Sequence, residues 1–305
     1  MKILAFLLLV LGPCLPASAQ TGFAEGVAGG SAGATVTART AEQLRAFASA
    51  AEPLVIRVEG TLRIGSLPVQ SDKTITGAGQ KPTLIGALTI GRGVTNVIVR
   101  NLLITNPTKR KKGAEGFDGI TIHGGRRVWV DSCTITDCGD GSIDITEGAD
   151  LITVSRCKFE YSSPELPHRL VMLAHGPPKK KSKGRLHLTL HNNWFAANCD
   201  ARMPSATKAR VHSFNNLFES PGNNYAANAR KEAEILSEEN AFLGIRNPLS
   251  AESGGRIRSE GDIFENTSGR RDTTKDKIFK PPYAYRPVPA GAVPKMVRST
   301  AGCLL

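Results

Sequence analysis

A short pattern recurs along this chain: a strand rich in β-branched residues, a polar turn of Asn, Asp or Ser, then one large apolar residue. It reads VRNLLI ending at Ile104, VDSCTI at Ile135, VSRCKF at Phe159, LHNNWF at Phe195, SFNNLF at Phe218, SEENAF at Phe242 and EGDIF at Phe264. Successive spacings are 31, 24, 36, 23, 24 and 22 residues, so four of the six fall at 22–24 and the two long steps carry insertions. A unit this short cannot bury its own apolar face and must stack on its neighbours. The repeat therefore predicts an all-β fold, a right-handed parallel β-helix with rungs about 4.8 Å apart and the repeated apolar residues in one column. The leucine spacing of the rival solenoid, the leucine-rich repeat, is absent. Asn101, Asn193 and Asn216 are expected at turns, where an amide side chain can bond local backbone.

Around this repeat the chain is simple. Residues 20–35 are Gly- and Ala-rich and aperiodic. A short amphipathic helix is expected over Ala41–Ala51 with Thr40 as its N-cap, forming an N-terminal cap on the solenoid. Segments rich in Val, Ile and Thr follow, as suits a pleated surface. No domain boundary interrupts 20–305. The tail from Phe279 is Pro-rich and is expected to form an irregular C-terminal cap. The two insertions, Thr108–Gly116 with KRKKG and Ser162–Arg185 with Lys179–Lys181, are basic. Long loops on a rigid solenoid gather on one face and tend to carry function.

Met1–Ala19 has one Lys, an apolar run from Ile3 to Leu11 and Ala17-Ser18-Ala19, the layout of an export leader cleaved after Ala19. Cys14 raises a lipoprotein signal as a rival, but Pro13 argues against it. The apolar run is too short for a membrane anchor, and no other segment is apolar enough to cross a bilayer. A secreted chain, extracellular or periplasmic, is expected. Five cysteines remain, Cys133, Cys138, Cys157, Cys199 and Cys303; their odd number and scatter do not suggest a disulfide framework, and Cys133 and Cys157 suit core positions. The net charge of +12 fits an anionic partner. No nucleic-acid motif is present, and aromatics are only 6% of residues, so an acidic polysaccharide is the better match. The partner expected is that polymer, with the protein acting as a monomer.

The stretch Asp118–Phe159 concentrates the chemistry. Asp140 and Asp144 lie four residues apart around a Gly turn in CGDGSID, and Asp118 opens the stretch. Three acids on extended chain, separated by small residues, make a hard-cation site plausible. The motifs DGITI, VWVDSCTITDCGDGSIDI, VSRCKF, HNNWF and RMPSATKARVHSFNNLF, taken together, resemble the pectate lyase family, polysaccharide lyase family 1, over most of the chain beyond the leader. The resemblance implies Ca²⁺ held by Asp118, Asp140 and Asp144, and a catalytic Arg at Arg202 of RMP. It implies β-elimination on α-1,4-galacturonan, giving 4,5-unsaturated ends.

The chain also departs from the family. A further acid is usual two residues before Asp118, where this chain has Gly116, with Glu115 adjacent. A second Arg is usual five residues after Arg202, where this chain has Thr207; Lys208 or Arg210 could supply that charge, and strand alternation lets only one of them share a face with Arg202. A Lys is usual where this chain has Leu170, with Arg169 adjacent. Arg169 and Lys208 are therefore the candidate substrate contacts. His191 and His212 are expected to be structural, and Trp129 and Trp194 to belong to the core. Two alternatives remain: a pectin lyase acting on methylated substrate without metal, and a non-catalytic β-helix that binds acidic polysaccharide.

Overall fold

The computed structural model describes residues 20–108, 116–177 and 186–304. The leader Met1–Ala19, the KRKKG stretch with Glu115, and Lys179–Lys181 lie outside the described residues. Strands from Ala34–Ala38 to Ile263–Glu265 pair exclusively in parallel, each with its counterpart one coil before and after. This is the parallel β-helix the repeat demanded. Each complete coil contributes one strand to each of three sheets. The first sheet holds Ile120–His123, Gly141–Thr146, Leu170–His175, Ser205–Thr207, Ala227–Arg230 and Leu249–Glu252. The second holds Arg126–Asp131, Asp150–Ser155, Leu186–His191, Ala209–Phe214, Glu234–Glu238 and Arg256–Glu260. The third is made of two- and three-residue strands that carry the repeated apolar residue.

The column runs as the spacing requires. Ile104 pairs with Ile135, Ile135 with Phe159, and then Phe195, Phe218, Phe242 and Phe264 follow in register. The four ring pairs from Phe159 to Phe264 stack with centroids 4.4–5.3 Å apart, close to the rung spacing. Beside the rings runs a ladder of buried side-chain amides. Asn193 accepts from Cys157 N, Asn216 from Asn193 N, Asn240 from Asn216 N and Asp262 from Asn240 N, all at 2.8–2.9 Å. Each Asn also donates to a backbone carbonyl of the coil before it: Val154, Leu190 and Ser213 in turn. Cys133 and Cys157 occupy the same inward position in earlier coils, fully buried as small apolar residues. Asn101 does not belong to this row. It stands one residue earlier, at φ 56°, in the left-handed corner shared with Ser132, Arg156, Asn192 and Asn215. Asn tolerates that conformation better than most residues.

The N-terminal helix spans Ala41–Ser49, and Thr40 accepts from Gln43 N at 3.2 Å. It buries Leu44 and Ala48 against the open end of the core. Two long strands, Leu54–Val69 and Lys73–Ile90, then bend around the first corners. The bend needs glycine: a Cβ on Gly86 would lie 2.2 Å from Gly65 O. The C-terminal tail corrects the sequence expectation. It does not close the far end as irregular chain but folds back along the outer side of the solenoid and ends in a helix, Val293–Thr300. Val293 and Val297 pack on Leu217 and Ala241, and Gly302 N and Cys303 N reach Arg156 O and Thr134 Oγ1. Pro294 in the first turn was the available signal, since proline is tolerated there. Among the described residues no helix is long and apolar enough to cross a membrane.

Removing one member of the amide row should destabilise the fold disproportionately. Asn216→Ala leaves both the backbone and side-chain N–H of Asn193 without that acceptor. The expected loss is about 1–3 kcal/mol for each orphaned donor, read as a lowered guanidinium midpoint.

Candidate functional site

The loops that lead from the third sheet into the first deliver the candidate residues. Asp118 lies just ahead of Ile120–His123, Asp140 just ahead of Gly141–Thr146, Arg169 just ahead of Leu170–His175, and Arg202 ahead of Ser205–Thr207. Asp144 lies within its strand, in register with Thr121 below and Leu173 above. Stacking thus brings residues far apart in sequence to one edge of the first sheet.

Asp118 is only 4% exposed. Its Oδ1 accepts from Gly141 N at 3.0 Å and its Oδ2 from Thr121 Oγ1 at 3.2 Å. Gly141 separates two carboxylates so closely that a Cβ there would lie 3.2 Å from Asp118 Oδ1 and 3.4 Å from Asp144 Oδ1. Burial, then Asp144, then Asp140 push the Asp118 carboxyl up to about 7. Burial and Asp140 push Asp144 up to about 6, and Arg202 pulls it back toward the ionised form. The three acids therefore act on one another, and the Arg202 guanidinium is near enough to Asp144 to oppose them.

Arg202 has φ 61°. Its carbonyl accepts from Met172 N at 2.6 Å, and Met203 N donates to Ala226 O at 2.9 Å, so the backbone on both sides of its side chain is held by neighbouring coils. Arg169 is pinned: it donates to Asn198 O at 2.8 Å and lies 3.6 Å from Asp200 Oδ1. Leu170 pairs with Gly141 and Ala201 and brings no charge.

Strand alternation does not decide between Lys208 and Arg210, because the chain turns a corner between Ser205–Thr207 and Ala209–Phe214. Lys208 is that corner, at φ 47°, at the far end of Ser205–Thr207 from Arg202. Arg210 lies on the second sheet and pairs with Glu234 at 3.3 Å. Thr207 sits between His175 and Arg230 in register.

Two residues of this edge escaped the sequence reading. Asp200 holds Arg169 and stands two positions before Arg202 in CDAR. His175 lies two residues beyond Leu173, on the same outward row, and burial followed by the charges of Arg202, Arg230 and Lys231 holds it below the usual imidazole range. The alternation of VMLAH was the signal for it. His191 and His212 are structural, as expected: His191 stacks on Phe214, and His212 is buried between Tyr283 OH and Glu238 Oε2 at 2.7 Å each. Trp129 is 8% exposed and donates to Ser155 Oγ at 2.8 Å.

The donor set suits a hard divalent ion, being all oxygen and anionic. Among the described residues no group of three or more His, Cys, Asp or Glu side chains is placed to hold a metal ion, so Asp118, Asp140 and Asp144 do not form a ready-made ligand set. Two facing carboxylates and a third within electrostatic reach leave most of a six- to eightfold oxygen shell to other donors.

The family model described as pectate lyase matches residues 1–303. A pectate lyase of Emericella nidulans is 32% identical over 293 residues, covering 91% of this chain and 85% of that protein. A pectate trisaccharide-lyase of Thermotoga maritima is 34% identical over 206 residues, 64% of this chain; the match spans only 53% of that longer relative. Among solved structures, a Bacillus pectate lyase in complex with trigalacturonate superposes with TM-score 0.74 at 24% identity, covering 92% of this chain and 98% of that one.

The raised carboxyls set a pH dependence with a definite sign. Between about pH 4 and 7 the folded Asp118 keeps a proton that the unfolded chain releases, so its contribution to stability falls as pH rises through that window. A divalent cation should reverse this. At pH 8 without divalent ions, Asp118→Asn should raise Tm by about 2–4 °C. The same substitution should leave Tm unchanged at pH 4 and remove most of the stabilisation given by added Ca²⁺. Differential scanning calorimetry at the two pH values checks all three.

Proposed function

Since the chain belongs to the pectate lyase family, we propose that it cleaves α-1,4-linked galacturonan by calcium-assisted β-elimination, leaving a 4,5-unsaturated end. The observation that carries this reading is the opposition of Arg202 to the mutually repelling carboxylates of Asp118, Asp140 and Asp144. A uronate lying between Arg202 and a divalent cation held by those carboxylates would have its charge met from both sides.

Those three aspartates would hold the calcium, which when bound would offset the substrate carboxylate and so make the C5 proton more acidic. Burial of Asp118, and the closure of its two oxygens by Gly141 N–H and Thr121 Oγ1, fix where the anionic wall lies. Arg202 would then act on the C5 side of the sugar. In the elimination the C5 proton leaves to a base, the C4–C5 double bond forms, the C4–O4 bond breaks and O4 takes a proton from solvent. Arg202 acts in that step as the proton acceptor or as the counter-ion of the charge gathering on the carboxylate. A guanidinium ordinarily stays protonated, so its electrostatic contribution operates in either role. Arg169 and Lys208 are proposed as substrate contacts, Arg169 through the guanidinium that Asp200 holds in place. The leader-like Met1–Ala19 and the +12 charge support export to a compartment rich in acidic polymer.

The test is the rise of the unsaturated-uronate absorbance on polygalacturonate with added Ca²⁺. Chelation should abolish it, and Arg202→Ala should lower kcat by about 10³-fold. Arg202→Lys separates the two roles: retained kcat with a shifted pH profile marks the proton acceptor, whereas loss without a shift marks the counter-ion. Absence of any rise on every uronan tried would reject the reading.

A further inference from the structure

Beyond Arg202 the first sheet continues into a cleft of about 320 Å³ whose lining includes Tyr225, Asn228, Ser250, Arg230, Glu252 and Arg270. It lies on the same outward rows as the candidate centre. Asn228 follows Ser205 in register and precedes Ser250, while Arg230 follows Thr207 and precedes Glu252. It is therefore one to two rungs from Arg202, about 5–10 Å along the solenoid.

Two features of the cleft bear on what it can hold. Asn228 is 5% exposed, and its Oδ1 accepts no hydrogen bond among the described residues. A buried acceptor left without a donor weakens the fold unless something else donates to it. A sugar hydroxyl is such a donor. The second feature is the charge balance. Glu252 lies 3.6 Å from Arg230 and 3.2 Å from Arg270, and Arg270 also bonds the Asp272 carboxylate. Two cations thus meet two carboxylates already in place.

We propose that this cleft is a subsite for an uncharged unit of the bound polymer, a methyl-esterified uronosyl residue. The proposal rests on the lyase reading of the neighbouring centre. An ionised uronate in the cleft would have to compete with Glu252 for both guanidiniums. An ester makes no such demand, and its hydroxyls satisfy Asn228 while the half-buried Tyr225 ring offers an apolar face. The cleavage centre itself calls for a free carboxylate. Together the two sites select polymer in which a free acid at the cut is followed by an esterified unit.

The experiment compares kcat/KM on polygalacturonate with kcat/KM on partially methyl-esterified pectin, as a ratio, for three proteins. Glu252→Gln frees the two arginines and should shift the ratio toward polygalacturonate by about threefold. Arg270→Gln should shift it by a similar factor toward the esterified polymer. Both side chains are well exposed, and coincident thermal unfolding with wild type checks that the fold survives. A third protein, Asn228→Ala, should raise KM on the esterified polymer more than on polygalacturonate, with kcat unchanged. If wild type cleaves polygalacturonate while the first two substitutions leave the ratio unmoved, or move it in the same direction, the subsite is overturned and the lyase reading stands. If wild type cleaves no uronan at all, the lyase reading fails and the subsite falls with it.

Discussion

Parallel stacking at a fixed one-rung offset is the constraint from which the rest of this molecule follows. It sets each residue directly over its counterpart from the previous coil, so that like tends to meet like. In the interior this is favourable. Phenyl rings stack on phenyl rings, and each buried amide finds the next one at hydrogen-bonding distance. On the outer face of the first sheet the same geometry crowds acids together. Asp118 and Asp144 come close enough that a Cβ on the intervening Gly141 would press on both carboxylates.

The anionic crowding and the opposing guanidinium of Arg202 are two products of one arrangement. The coils supply a rigid wall with no freedom to spread the charges apart. Burial then makes the repulsion stronger than it would be in water. A bound cation, a proton or a substrate bridged to either would relieve it. A flexible loop could have relaxed the same residues, and the tension that binding exploits would have been lost.

The sequence made the interior legible and the corners illegible. The apolar column could be read because its spacing is a property of the backbone repeat, and every member from Ile104 to Phe264 falls in the register that spacing requires. Asp118, Asp140 and Asp144 were readable as a cluster because Gly and Ser surround them. Asn101, Asn193 and Asn216 were all readable as turn residues; that Asn193 and Asn216 turn inward into a buried row while Asn101, one residue earlier in its repeat, takes the left-handed corner was not. Lys208 and Arg210 were weighed by strand alternation, which fails where a corner falls between them. Asp200 reaches the site edge only through stacking, which no local pattern records, whereas the alternation of VMLAH carried the signal for His175. The C-terminal helix was masked by the prolines around it.

The amide row has a direction. Every Asn in it donates forward to the next coil and backward to a carbonyl, and the row ends at Asp262, an acceptor that also takes bonds from Ser237 and Ser259. A carboxylate has no N–H with which to pass the pattern on. The reach of the row, though not of the coils themselves, is thus written into one side chain: extending the row past Asp262 requires that this terminator first be replaced.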